Sequence, residues 1–121
     1  MSQMRPEELQ KLLIEIEQKA QFCQQQMVIV KTQMNSKNRE TRMLQLTAAE
    51  LDGLPSDANV YEGVGKMFVA SPKTDVKVRL IKDQDAIKKD MEGLDKKMHY
   101  LETTYKNSKD HLDAIFKNGG R

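Results

Sequence analysis

Tryptophan is absent from the 121-residue sequence, and three Phe and three Tyr are its whole aromatic complement. With 31% charged residues and a mean hydropathy of −0.70, apolar groups can cover stripes but cannot fill a ball, although a chain of this length could otherwise bury one modest core. A stripe predicts elongated helices within one domain spanning 1–121. The single cysteine, Cys23, excludes an internal disulfide and points to a reducing cytosolic setting, with a nuclear pool compatible. No apolar run reaches membrane-spanning length or has the form of a signal-peptide core, which argues against membrane and secretory roles. Charge of one sign is missing too. The 20 basic and 18 acidic residues are interspersed, for a net charge of +2, so the one-sided basic patch that nucleic acid requires is not offered.

Strand-like sequence is scarce and falls in one place. Val60 to Val64 and Met67 to Ser71 are short runs rich in β-branched, aromatic and apolar residues, separated by Gly65-Lys66. They predict a tight hairpin over residues 58–71, with Gly65 supplying the positive φ of a two-residue turn and Pro72 closing the second strand because it cannot donate to a ladder. Two strands are marginal alone in water, and this pair carries apolar groups on both faces and two unpaired edges. Such a hairpin needs further strands, which this chain does not contain.

Long helices are expected on either side. Pro6 followed by Glu7 and Glu8 marks a helix start, with carboxylates near the positive end of the dipole. From there Leu9, Leu13, Ile16, Ala20, Cys23, Met27, Val30, Met34, Leu44, Ala48 and Leu51 fall on alternating four- and three-residue steps, with Lys37 and Thr41 as polar lapses. The helix is expected over 6–54, ending by Leu54 either as one continuous helix or with a break near Leu46, for which Thr47-Ala48-Ala49-Glu50 has the form of a capping box. Ser71-Pro72 reads as the cap and first position of a second helix over 72–117. Its seam is Leu80, Gln84, Ile87, Met91, Leu94, Met98, Leu101, Tyr105, Ser108, Leu112 and Ile115, and Asn118-Gly119-Gly120 ends it. Each helix covers about 45 residues, roughly 65 Å at 1.5 Å per residue. If they fold back as an antiparallel pair, residues whose numbers sum to about 124 lie level, so that Leu44 meets Leu80, Val30 meets Leu94 and Leu9 meets Ile115.

Candidate chemistry is thin. Gly63-Val64-Gly65 lacks the third glycine of a phosphate loop and runs along a strand rather than into a helix. His99 and His111 have no ligand partners at metal-binding spacing. Cys23 sits on the seam as a small hydrophobe, with nothing nearby to depress its pKa. Asp83 and Asp85 are ordinary solvated acids on an outer helical face. These features predict no catalytic residue, no cofactor and no metal. The eight methionines divide differently. Met27, Met34, Met91 and Met98 belong to the seam, whereas Met1, Met4, Leu12, Ile14, Phe22 and Phe116 lie off it or at the far ends, where adaptable apolar side chains suit a surface that binds many partners.

The segment Asn59-Val60-Tyr61-Glu62-Gly63-Val64-Gly65-Lys66-Met67-Phe68 between two long helices, preceded by Leu46-Thr47 and Glu50-Leu51 and followed by Tyr100-Leu101-Glu102, resembles the β-class subunits of prefoldin over nearly the whole chain. The Val-Tyr and Val-Gly pairs with a following Phe are fairly specific. The heptads are shared by any coiled coil. The resemblance implies a mainly α fold, an antiparallel two-helix coiled coil with one hairpin at the helix connection, and α-class subunits would have two hairpins. It implies a hetero-hexamer in which two α-like and four β-like subunits join hairpins into a double β-barrel from which six coiled coils hang. It further implies that unfolded chains, notably actin and tubulin, are held at the free ends and passed to the cytosolic group II chaperonin without nucleotide hydrolysis. On this reading Val60, Tyr61, Val64, Gly65, Met67, Phe68 and Val69 serve subunit assembly. Client contact falls to Met1, Met4, Leu9, Leu12, Leu13, Leu112, Ile115 and Phe116. The competing readings are a coiled-coil adaptor that binds one folded partner and a basic coiled coil that binds nucleic acid, the latter opposed by the mixed charge.

Overall fold

A computed structural model describes residues 5–119 in the order α1 (Pro6–Asp52), β1 (Asn59–Val64), β2 (Met67–Pro72) and α2 (Lys73–Gly119). The strands pair antiparallel from Asn59 opposite Pro72 to Val64 opposite Met67. Each helix has 47 residues, about 70 Å of rise. The start of α1 follows its local chemistry: Leu9 donates its amide hydrogen to the Arg5 carbonyl, and Glu7 and Glu8 occupy the first turn.

The chain forms two compact units. One comprises the chain up to Gln33 together with the chain from Leu94 onward, and the other is Met34–Gly93. In the first, Ile16, Ala20, Cys23 and Val30 of α1 and Leu101 and Ser108 of α2 are buried. Gln24 Nε2 donates to the Tyr105 hydroxyl at 2.9 Å. In the second, Leu51 of α1 and Lys73, Val76 and Ile87 of α2 are buried. Every seam position expected from the sequence within the described residues is buried or half-buried, including the lapses Lys37 and Thr41. The four-three periodicity places these groups on one side of each helix regardless of whether the group is apolar.

Within Met34–Gly93, Lys37 contacts Asp90, Asp52 contacts Lys77, and the Leu54 carbonyl meets Lys73. Ascending α1 thus descends α2, and the helices are antiparallel there. The polar pairs Gln24–Tyr105, Lys37–Asp90 and Asp52–Lys77 sum to 127–129, above the backbone level of about 124 expected from the seams. The offset follows from side-chain direction. Cα–Cβ bonds tilt toward each helix's N-terminus, so in an antiparallel pair the tips of long side chains meet at sums a few residues higher than the backbone level.

Three sequence expectations are corrected. The helix does not break near Leu46: α1 is continuous to Asp52, and Thr47 Oγ1 donates to the Met43 carbonyl at 2.8 Å instead of capping a new helix. Helix 1 also stops short of Leu54, in a tight turn where Gly53 donates to Glu50 and Leu54 to Leu51. Pro72 is the last residue of β2, opposite Asn59, and not the first of α2, which begins at Lys73 and extends to Gly119. The Lys73 amide donates to the Ala58 carbonyl at 3.3 Å, so this backbone group serves the hairpin base, a role proline could not take.

Candidate functional site

The turn joining β1 to β2 is built by one residue. Gly65 has φ +63°, and no non-glycine residue described has positive φ, the pattern of a II′ turn with glycine first. Alternation then sorts the hairpin into two faces. Val60, Glu62 and Val64 share one with Ser71, Val69 and Met67, and Tyr61 and Gly63 share the other with Ala70 and Phe68. The base of the first face is partly covered: Val60, Glu62 and Ser71 are half-buried, and Glu62 accepts a charged hydrogen bond from Arg79 of α2. The second face is bare. Tyr61 is 68% exposed and Phe68 77% exposed, and toward the turn Val64, Met67 and Val69 are exposed as well. Of the residues expected to serve assembly, all except Val60 are therefore solvent-facing. The sheet has two strands only, so the outer edges of β1 and β2 have no strand partner among the described residues.

What holds the hairpin base was not legible in the sequence. Lys73 is buried, its Nζ donating to the Leu54 carbonyl at 2.7 Å, and Lys77 pairs with Asp52 at the end of α1. The hydrogen bond and charge of Lys77, aided by the charge of Lys73, hold the Asp52 carboxyl below its ordinary value of 3.8. Lysines at the start of a helix run against the dipole, so no sequence rule marks them as structural. Their only signal is that Lys73 and Lys77 continue the seven-residue repeat back from Leu80 and Gln84.

The residues expected at the client-binding helix ends fall in one unit. Leu9, Leu12, Leu13, Leu112 and Ile115 are half-buried and Phe116 is 63% exposed. Met1 and Met4 lie outside the described residues. Leu12, expected off the seam, is half-buried beside it. The helix ends thus combine a packed seam with accessible apolar edges. Cys23 is buried and His99 and His111 are exposed. No group of metal-ligating side chains is found among the described residues, and no described helix is long and apolar enough to cross a membrane.

Known proteins share this architecture. Residues 7–119 match the family described as "Prefoldin subunit". A Schizosaccharomyces pombe protein named "Probable prefoldin subunit 1" is 35% identical over 107 residues, covering 88% of this chain and 96% of that protein. Prefoldin subunit 1 of Mus musculus is 31% identical over 105 residues, covering 87% and 86% respectively. The crystal structure of the prefoldin beta subunit from Thermococcus strain KS-1 has the same fold, with a TM-score of 0.77 at 23% identity over 95% of this chain and 96% of that one. With one hairpin between two long helices and a family match over nearly its whole length, this chain belongs to the prefoldin subunit family.

Proposed function

We propose that this chain is one of the four β-like subunits that, with two α-like subunits, make up a cytoplasmic, hetero-hexameric prefoldin co-chaperone. In this role it captures unfolded polypeptides of the actin and tubulin type and yields them to the group II chaperonin without ATP. The observation that carries the reading is the bare hairpin: Tyr61, Val64, Met67, Phe68 and Val69 are exposed on a two-stranded sheet. Apolar strands of this kind are stabilised by pairing with strands of neighbouring subunits. Client capture belongs at the helix ends, around Met1, Met4, Leu9, Leu12, Leu13, Leu112, Ile115 and Phe116. Each partial burial of a Leu or Phe there contributes about 1 kcal/mol, below the full-burial value because the contact stays wet. One arm binds poorly. Several arms held at fixed spacing raise the effective concentration of later contacts, giving avidity with fast local release.

The test separates assembly from folding. Phe68→Asp introduces a charge at a position exposed in the single chain, so the variant keeps its helical circular dichroism. In the hexamer the same charge is buried and unpaired at a cost of several kcal/mol, and co-purification with the other subunits is lost. Incorporation at wild-type stoichiometry overturns the assignment. Deleting residues 1–8 and 115–121 leaves assembly intact and weakens site-specific crosslinking of denatured actin to this arm. A coiled-coil adaptor would instead retain one native partner and ignore denatured chains.

A further inference from the structure

The outer side of a two-helix arm ordinarily carries charge, because it faces water. Between Gln18 and Gln33 the outer side of α1 carries only Lys19 and Lys31 as charges, with Glu15 and Glu17 just before it. With the seam from Leu9 to Leu51 at heptad positions a and d, Ile14, Gln21 and Val28 share one outer position, Gln18, Gln25 and Thr32 the next, and Glu15, Phe22 and Ile29 a third. Phe22 is 58% exposed, Val28 66% and Ile29 49%. Gln18, Phe22, Gln25 and Ile29 follow i, i+4, i+7, i+11 spacing, a ridge of the kind that packs against another helix. From Gln18 to Ile29 it rises about 17 Å. All of it lies in one unit, on the side of α1 opposite its buried seam, and none of it belongs to the hairpin.

Charge selects the partner. From Gln18 to Gln33 the sequence contains no Asp or Glu, but it contains Lys19 and Lys31, both exposed. In the heptad, Lys19 flanks the row of Phe22 and Ile29, and Lys31 flanks the other row at Val28, while Glu17 borders that row beside Ile14, outside the docking face. A ligand with an apolar stripe bordered by carboxylates meets a cation on either side, and a basic ligand is repelled. The glutamine side chains between the apolar groups supply neutral hydrogen-bonding groups without a charge to desolvate.

We propose that this outer face of α1 docks an acidic amphipathic helix, whose apolar seam lies on Phe22, Val28 and Ile29 and whose carboxylates border Lys19 and Lys31. This surface is separate from subunit assembly through the hairpin and from client capture at the helix ends.

The test uses the full-length chain in its complex with the other prefoldin subunits, titrated with fluorescent synthetic peptides. One is a helix of about three heptads with a Leu seam and Glu flanks, the second replaces Glu by Lys, and the third is the acidic peptide with its sequence scrambled. The Glu-flanked helix binds roughly tenfold or more tightly than either control. Phe22→Gln with Ile29→Gln reduces its binding by a similar factor and leaves circular dichroism and assembly unchanged, since both side chains face solvent. Lys19→Glu with Lys31→Glu inverts the preference between the two helices, a result that a folding defect cannot produce. Equal binding of the Glu- and Lys-flanked helices, or undiminished binding by the Phe22→Gln, Ile29→Gln variant, overturns the proposal. Equal binding of the scrambled peptide also overturns it and identifies the face as a site for unfolded chains.

Discussion

Lys37 of α1 and Asp90 of α2 form an ion pair, with Nζ 3.2 Å from Oδ2, at a seam position that in most heptads would be apolar. Glu40, one turn along α1, lies 3.7 Å from the same nitrogen. The Lys37 side chain is 29% exposed and that of Asp90 55%, so the pair is neither fully buried nor free in solvent. A polar group at a seam position defines register at a cost in stability.

Replacing Lys37 by Leu is therefore expected to stabilise the chain by about 1 kcal/mol, because an apolar side chain fills the seam without desolvating a cation. Asp90→Ala alone is expected to cost less than about 1 kcal/mol, as the carboxylate is largely solvated. Denaturant melts of the two variants measure both signs. A destabilised Lys37→Leu variant would show that the ion pair outweighs the packing it displaces.

Lys73 donates from Nζ to the Leu54 carbonyl and from its backbone to the Ala58 carbonyl. Lys73→Met keeps the packed stem and removes only the first bond, which predicts a loss of about 1 kcal/mol. Thermal unfolding checks the magnitude. Faster amide exchange at residues 53–58, with exchange at Val30 unchanged, would locate the effect at the hairpin base.

Asp52 gives a pH dependence of known sign. Its folded-state pKa is depressed by Lys77, so the ionised carboxylate favours the folded state. That contribution is fully present above the unfolded value near 3.8 and is lost as pH falls through the depressed folded value. Asp52→Asn is expected to lower stability at neutral pH and to flatten this acid limb, and Lys77→Met to do the same. Urea melts across the acid range would contradict this if the wild type and both variants had parallel curves.

At Gly65 the demand is on the backbone alone. An added Cβ would meet nothing within 4 Å, yet φ is +63°. Gly65→Ala and Gly65→Asn are each expected to cost about 1–3 kcal/mol, because the first position of a II′ turn combines positive φ with a ψ outside the left-handed helical region that asparagine tolerates. Amide exchange across the β1–β2 ladder compares both with the wild type, and equal protection in all three would show that the turn conformation is not what holds the strands in register.

The alternating steps from Leu9 to Leu51 and from Leu80 to Ile115 determined, within the sequence, which side of each helix is buried, because helical periodicity is set by neighbours three and four residues apart. The hairpin was equally legible: Gly65-Lys66 between two apolar runs is a local signal, and Pro72 ends the second strand wherever the chain goes next. Only the tertiary structure decided that Thr47 stays inside a continuous helix, because a capping box competes with continued helical hydrogen bonding and the packed seam through Ala48 and Leu51 favours the latter. It also decided that Lys73, a residue ordinarily left in water, is buried against Leu54, and that Lys77 and Arg79 reach back to Asp52 and Glu62. Those contacts join residues 17 to 25 positions apart whose proximity arises only when the chain reverses at the hairpin, and charge and propensity read along the sequence contain no term for a partner delivered by that reversal.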